Sequence, residues 1–191
     1  MKDITYYGNK ELLKFHKTAF LAASNIPPEM VLRCYDWAVR MAEEGQCVIS
    51  GFSSHLEREV LHFLMKGRQP IIVVFARAMY KDIPPEFQKL LNEKRLLVIS
   101  VSKAVRQSKA TAHIRNKYIC DQADRLVFVG VTESSSLYPL FQAYHEKTEV
   151  GQGTVKYVQN EKYSAKSSDF LRFLLYLCHV IDDFACLDLQ H

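Results

Sequence analysis

In this chain of 191 residues, the groups best suited to chemistry are small, polar or cationic, and they gather at four places. The first is "AASNIPP" (22–28), which offers Ser24 and Asn25. The second is Ser50-Gly51-Phe52-Ser53-Ser54, followed at once by His55. The third is "TAHIRNKYI" (111–119), with Arg115, Asn116 and Lys117. The fourth is "VTESSSLYP" (131–139), with Ser135 at the centre of a serine triplet. The chemistry these types suit is anion binding. Small residues let backbone N–H groups approach a ligand, hydroxyls and amides donate to its oxygens, and Arg115 and Lys117 supply charge. Asn116 can fix a loop or a base, and His55 can hold a phosphate or act as an acid. A plain strand-to-helix turn capped by Ser53 or Ser54, and a solvated helix face carrying Arg115 and Lys117, use the same residues without a ligand.

Charge is distributed in keeping with an anionic ligand. The net charge is only +4, yet from Lys94 to Lys117 there are seven cations (Lys94, Arg95, Lys103, Arg106, Lys109, Arg115 and Lys117) and no acidic residue. Such a block holds an anion or forms a solvated basic face. Catalytic groups are sparse. Of the seven histidines, His16, His62 and His145 fall in or beside helical patterns, while His55 and His113 lie near the polar turns. Glu57 and Glu133 supply carboxylates. No GxxxxGK[ST], HExxH or GxSxG pattern is present, so neither a catalytic residue nor a cofactor is assigned. The five cysteines are odd in number and never spaced as CxxC, which indicates core thiols and no metal site. Asp182-Asp183 reads as a solvated helix edge.

These turns need elements to hold them. Apolar runs rich in β-branched or aromatic residues predict strands at 4–8, 19–23, 47–50, 71–76, 96–100, 125–131 and 155–158. Amphipathic stretches predict helices over 28–44, 55–66, 84–92, 110–122, 136–147 and 167–185. Val31, Tyr35, Ala38 and Ala42 are expected to form the apolar stripe of the first helix, and Leu56, Val60, Phe63 and Leu64 that of the second. Alternating strands and helices imply an α/β fold: a doubly wound, mainly parallel, Rossmann-like sheet with helices on both faces. Residues 1–150 are read as that domain. Residues 151–191 are read as a strand and an apolar helix, packed on the domain or at a dimer interface, because Phe170, Phe173, Leu174, Leu177, Val180, Ile181 and Phe184 span more than one helix face. No run reaches the ~18 apolar residues of a membrane helix, and the first ten residues lack a signal peptide's apolar core, so no membrane partner and a cytoplasmic location are expected.

The order "FLAASNIP", "VISGFSSHLEREVLHFLMKGRQPIIVVFARAM", "IRNKYICDQADRLVFVGVTESSSLYPLFQA" resembles the DNA-processing protein A (DprA/Smf) family, within the wider SLOG class of nucleotide-sensing folds. The resemblance covers roughly residues 4 to 147. It implies a basic pocket that holds the sugar-phosphate backbone of single-stranded DNA, with Ser50-Gly51, the following loop, Arg115 and Lys117 facing phosphates. It also implies a homodimer and a recombination protein as partner. The chain departs from the family pattern at four points. Ala23-Ser24-Asn25 stands where Gly-Ser-Arg is usual, and His55-Leu56-Glu57 where Gly-Ile-Asp is usual. Gly130 replaces a glutamate, and Ser134-Ser135-Ser136-Leu137 replaces Ser-Gly-Ser-Leu. The PGGxGT-type loop of the related phosphoribohydrolases is missing. The expected function is non-catalytic binding of single-stranded DNA or a nucleotide. The alternatives are a nucleoside-phosphate hydrolase using His55, Glu57 or Glu133, and a scaffold acting through oligomerisation.

Overall fold

Side chains that alternate across a strand need a packed layer on each side, and the apolar runs of this chain find both. The computed structural model describes residues 4–148. In chain order the elements are β1 (Thr5–Gly8), a 3₁₀ helix (Lys10–Lys14), β2 (Lys17–Ala22), α1 (Pro28–Glu43), β3 (Cys47–Ser50), α2 (His55–Lys66) and β4 (Ile71–Phe75). There follow a 3₁₀ turn (Pro85–Phe87), α3 (Gln88–Asn92), β5 (Leu96–Ser100), α4 (Lys109–Gln122), β6 (Arg125–Val129), α5 (Tyr138–Ala143) and a last 3₁₀ turn (His145–Lys147). The expected strand at 155–158, the helix at 167–185 with Asp182-Asp183, and the whole of 151–191 lie outside the described residues.

The strands form one sheet in the order β1-β5-β4-β3-β2-β6. All pairings are parallel except β1 with β5. Phe20, Val48, Val73, Val98 and Val127 face the layer of α1, α2 and α3. Their neighbours Leu21, Ile49, Val74, Ile99 and Phe128 face α4 and α5. The chain runs from β2 outward to β3 on one side and returns through β6 on the other. The turns leaving β2 and β6 therefore diverge, and a crevice opens at the strands' carboxyl ends, where ligands bind in sheets of this kind.

Several local expectations change. The core face of α1 is Cys34, Trp37, Ala38 and Met41, displaced from the expected stripe because Trp37 stacks on Phe20 at 4.9 Å. Tyr35 instead meets Phe63 across the α1–α2 seam at 5.0 Å. β2 begins two residues early because Lys17 is buried, its N–H donating to Asp124 Oδ2 at 2.7 Å and its ammonium to the Leu13 and Phe15 carbonyls. The helices expected over 84–92 and 136–147 are each broken into a 3₁₀ turn and a shorter α-helix, the first behind Pro84-Pro85 and the second at Tyr144.

Cys34, Cys47 and Cys120 are free and buried. Burial pushes each thiol up to about 12, so these three behave as small core side chains. Among the described residues, no helix is long and apolar enough to cross a membrane.

Candidate functional site

The crevice is built from the β3–α2 turn upward. β3 ends at Ser50, which is fully buried, and its hydroxyl accepts from the Phe52 N–H at 3.3 Å. Phe52 has φ 44°, a left-handed conformation that costs a non-glycine residue about 1–3 kcal/mol. It is held there because the ring is buried in the core. The turn then closes on a capping box. The Ser54 hydroxyl accepts from the Glu57 N–H, and Glu57 Oε2 accepts from the N–H groups of Ser53 and Ser54 at 2.7 and 3.1 Å and from the Ser53 hydroxyl at 3.3 Å. Glu57 Oε1 accepts from the Ala22 N–H at 3.2 Å, which ties the end of β2 to the turn after β3. With both oxygens committed and only 3% exposure, Glu57 is a scaffold and not a free base.

Arg115 enters from α4. Its guanidinium lies against Gly51 so closely that a Cβ at that position would sit 2.6 Å from its Cζ and Nε. This explains the small residue after β3: Gly51 supplies room for an arginine, not an unusual φ. Arg115 is 5% exposed. Nη1 donates to the Ser53 hydroxyl at 2.9 Å and to Gln107 Oε1 at 3.4 Å, while Nε and Nη2 both donate to Asn116 Oδ1 at 3.0 and 2.8 Å. Every one of these partners is neutral. Burial lowers the guanidinium's pKa from its ordinary value, and the nearby Glu57 carboxylate opposes that shift. The group stays charged, because arginine does not deprotonate in proteins.

Above Arg115 lies a pocket of about 660 Å³. Ser24 and Asn25 come to its wall from the turn after β2, Ser53 and Ser54 from the turn after β3, Arg115 and Asn116 from α4, and Gly130, Thr132, Ser134, Ser135 and Ser136 from the turn after β6. Gly130 has φ 63°, and a Cβ there would lie 3.1 Å from the Asn25 carbonyl oxygen, so a glycine suits this closure.

Of the residues singled out in the sequence, the fold thus brings Ser24, Asn25, Ser53, Arg115, Asn116 and Ser135 to one wall. Ser50 and Gly51 lie beneath it as supports. His55 is exposed at the first position of α2 and lines no part of the pocket, and the same holds for His113 and Glu133. Lys117 is exposed on another side of α4, where its ammonium donates to Asp121 Oδ2 at 2.8 Å and to the Tyr144 hydroxyl at 3.3 Å. These bonds, that to Asp121 first, raise its pKa.

The basic stretch is likewise divided. Arg95 is buried at the amino end of β5, while Lys103, Arg106 and Lys109 are exposed beyond its carboxyl end. Sequence reading missed Gln107, the place of Gly130 in the pocket wall and the structural part played by Glu57. Only the last had a legible signal, the Ser-x-x-Glu spacing of a capping box. No group of three or more His, Cys, Asp or Glu among the described residues is placed to hold a metal ion.

No family model matches the sequence, and no curated protein matches it. Solved structures do match the fold. DNA processing protein A from Helicobacter pylori, described with its mode of binding single-stranded DNA, aligns with a TM-score of 0.60 at 18% identity, over 78% of this chain and 73% of that one. DNA processing protein A from Streptococcus pneumoniae aligns with a TM-score of 0.61 at 17% identity, over 79% of this chain and 57% of that one, so this chain spans little more than half the length of the latter. Architecture is what such identities establish: the chain has the Rossmann-like α/β fold of DNA processing protein A.

Proposed function

We propose that the pocket over Arg115 binds a phosphate of a nucleic-acid ligand, single-stranded DNA or a nucleotide, without chemistry on it. The observation that carries this reading is the state of Arg115. A guanidinium 5% exposed, bonded only to neutral oxygens, has given up much of its hydration, and the one carboxylate near it, Glu57, is reached only through the Ser53 hydroxyl and is itself engaged by backbone amides. A phosphate oxygen in the pocket supplies a direct counter-ion. The surrounding hydroxyls and amides then donate to its remaining oxygens. The fold shared with DNA processing protein A supports the same reading, since the Helicobacter protein binds single-stranded DNA. No observation favours hydrolysis, because Glu57 is committed to backbone amides and neither His55 nor Glu133 lines the pocket.

The test is fluorescence anisotropy of a labelled oligo-dT and of a labelled nucleotide, with the wild type and Arg115→Met. Loss of at least about tenfold in affinity, the size expected for a charged hydrogen-bonding contact, supports the reading. Unchanged binding by a folded Arg115→Met protein rejects it.

A further inference from the structure

At the other end of the sheet, the amino ends of the parallel strands β4 and β5 lie side by side, Ile71 against Leu96. The segments that lead into them enclose a hollow of about 380 Å³, lined by Lys66, Gly67, Arg68, Lys89, Glu93 and Arg95. We infer that this hollow binds a compact polyanion carrying two or more linked phosphate groups, at a site separate from the crevice over Arg115 and independent of what the crevice binds. Charge is the first ground. Cations outnumber carboxylates on the wall by four to one, and the acids at the end of α1, Glu43 and Glu44, do not line it. The one carboxylate, Glu93, accepts from Arg95 Nε, and Arg95 is held further by the Met65 and Gln69 carbonyls at 3.0 and 3.4 Å. Arg95 and Glu93 thus form a paired floor. Arg68 and Lys89 are exposed on the same wall, and Lys66 reaches it past the Phe63 ring. A single phosphate monoester brings about −1.5 to −2 charges, short of the excess of three positive charges, whereas two linked phosphates match it.

The second ground is that the helix end beside the hollow is already neutralised. The carboxyl end of a helix is its negative end and repels anions. Here the Leu64 carbonyl accepts from the Gly67 N–H and from the Gln69 side-chain amide, and the Met65 carbonyl accepts from Arg95. The wall is also fixed in place. The Ile71 N–H donates to the Arg95 carbonyl at 2.8 Å, which joins the segment carrying Arg68 to the segment carrying Arg95. No aromatic side chain lines the hollow, so a base has nothing to stack on and recognition falls to the phosphates. A volume of about 380 Å³ lies at the lower end of the ~300–1,000 Å³ usual for small-molecule sites, which keeps the ligand compact.

The experiment is calorimetric titration of inorganic phosphate, pyrophosphate and ADP into the wild type, the double variant Arg68→Ala/Lys89→Ala, Glu93→Gln, Lys109→Ala and Arg115→Met. Pyrophosphate is expected to bind the wild type at least about tenfold more tightly than phosphate does, the gain from a second set of charge-assisted contacts. The double variant is expected to lose at least about tenfold in pyrophosphate affinity with an unchanged melting temperature, because both side chains are exposed. Glu93→Gln removes the only negative charge on the wall and tightens pyrophosphate by about threefold to tenfold. Lys109→Ala, exposed beyond the carboxyl end of β5, and Arg115→Met leave it within about twofold. In the Arg115→Met protein, ADP binding as well as pyrophosphate supports the site with a nucleotide's diphosphate as its source. ADP binding at least about tenfold more weakly supports it with a free oligophosphate as the source. Equal affinity for phosphate and pyrophosphate overturns the inference, as does a double variant that binds like the wild type, a Glu93→Gln protein that binds no more tightly, or a loss on Lys109→Ala as large as that of the double variant. If Arg115→Met abolishes pyrophosphate binding, the anion sits in the crevice, so that reading stands and this one fails. If pyrophosphate does not bind the wild type, this inference fails whatever the crevice binds.

Discussion

Arg95 and Arg115 are both buried, at 8% and 5% exposure, yet they occupy opposite ends of the sheet and opposite kinds of site. Arg95 sits beside the last turn of α2, donating to the Met65 and Gln69 carbonyls and to the Glu93 carboxylate. The Met65 carbonyl in that last turn gains a donor, and the charge has a counter-ion. Arg115 is stacked on Gly51 and bonded only to neutral side chains that open onto a pocket. Burial of an arginine does not by itself mark a binding site. Partner chemistry separates the two: one guanidinium is bonded to carbonyls and a carboxylate, the other to neutral side chains that line a pocket.

Substitution separates these two ends most directly. Arg115→Met is expected to lower ligand affinity by about 10–100-fold, as for a charged hydrogen bond worth ~1.5–3 kcal/mol, and to change the melting temperature little, because relief of a desolvated charge offsets the lost hydrogen bonds to Ser53, Gln107 and Asn116. Arg95→Met is expected to do the reverse, costing about 2–3 kcal/mol of stability through the lost carbonyl partners and leaving affinity untouched. Thermal melting and anisotropy on the same samples measure both. If Arg115→Met unfolds the protein while Arg95→Met weakens binding, the contrast is broken.

Gly51→Ala tests the support beneath Arg115. The added Cβ needs space now filled by the guanidinium, so a stability loss of about 1–3 kcal/mol and a loss of affinity should appear together. An alanine variant that binds normally would show that the close approach is unnecessary. Glu57→Gln replaces an acceptor-only group at a point where three backbone N–H groups converge, and about 1–2 kcal/mol of stability should go with it. Chemical denaturation reads that difference.

Two smaller effects lie outside the pocket. The Lys17 backbone N–H donates to Asp124 and holds its carboxyl pKa below the ordinary value. A depressed folded pKa means stability present above the unfolded value, about 3.9, and lost as pH falls through the folded one. Asp124→Asn should therefore melt lower than wild type at neutral pH, and the difference should shrink in acid; a gap that persists unchanged at low pH would contradict this. Lys117→Ala should leave affinity unmoved, since Lys117 is exposed and turned to Asp121.

Much of the fold was legible because its signals are local. Apolar runs such as "IIVVF" and "LLVIS" announce strands with both faces covered, and Ser54 just ahead of the stripe Leu56, Val60 and Leu64 announces the start of α2. The stripe of α1 was misread because Trp37, whose ring is the largest on that helix, decides which side faces Phe20. Periodicity alone does not weigh ring size. The antiparallel placement of β1 was equally invisible, since a short strand carries no mark of its direction.

The candidate site divides along the same line. Sequence by itself determined that small polar turns follow β2, β3 and β6, because serine, asparagine and glycine act within a few residues of their own position. Tertiary structure alone decided that Arg115, 62 residues beyond Ser53, lies on Gly51 and bonds that serine's hydroxyl. It also decided that Lys117 does not join it. Two residues apart on a helix, the two side chains are turned by about 200° from one another, so packing α4 against the sheet aims one into the crevice and the other away.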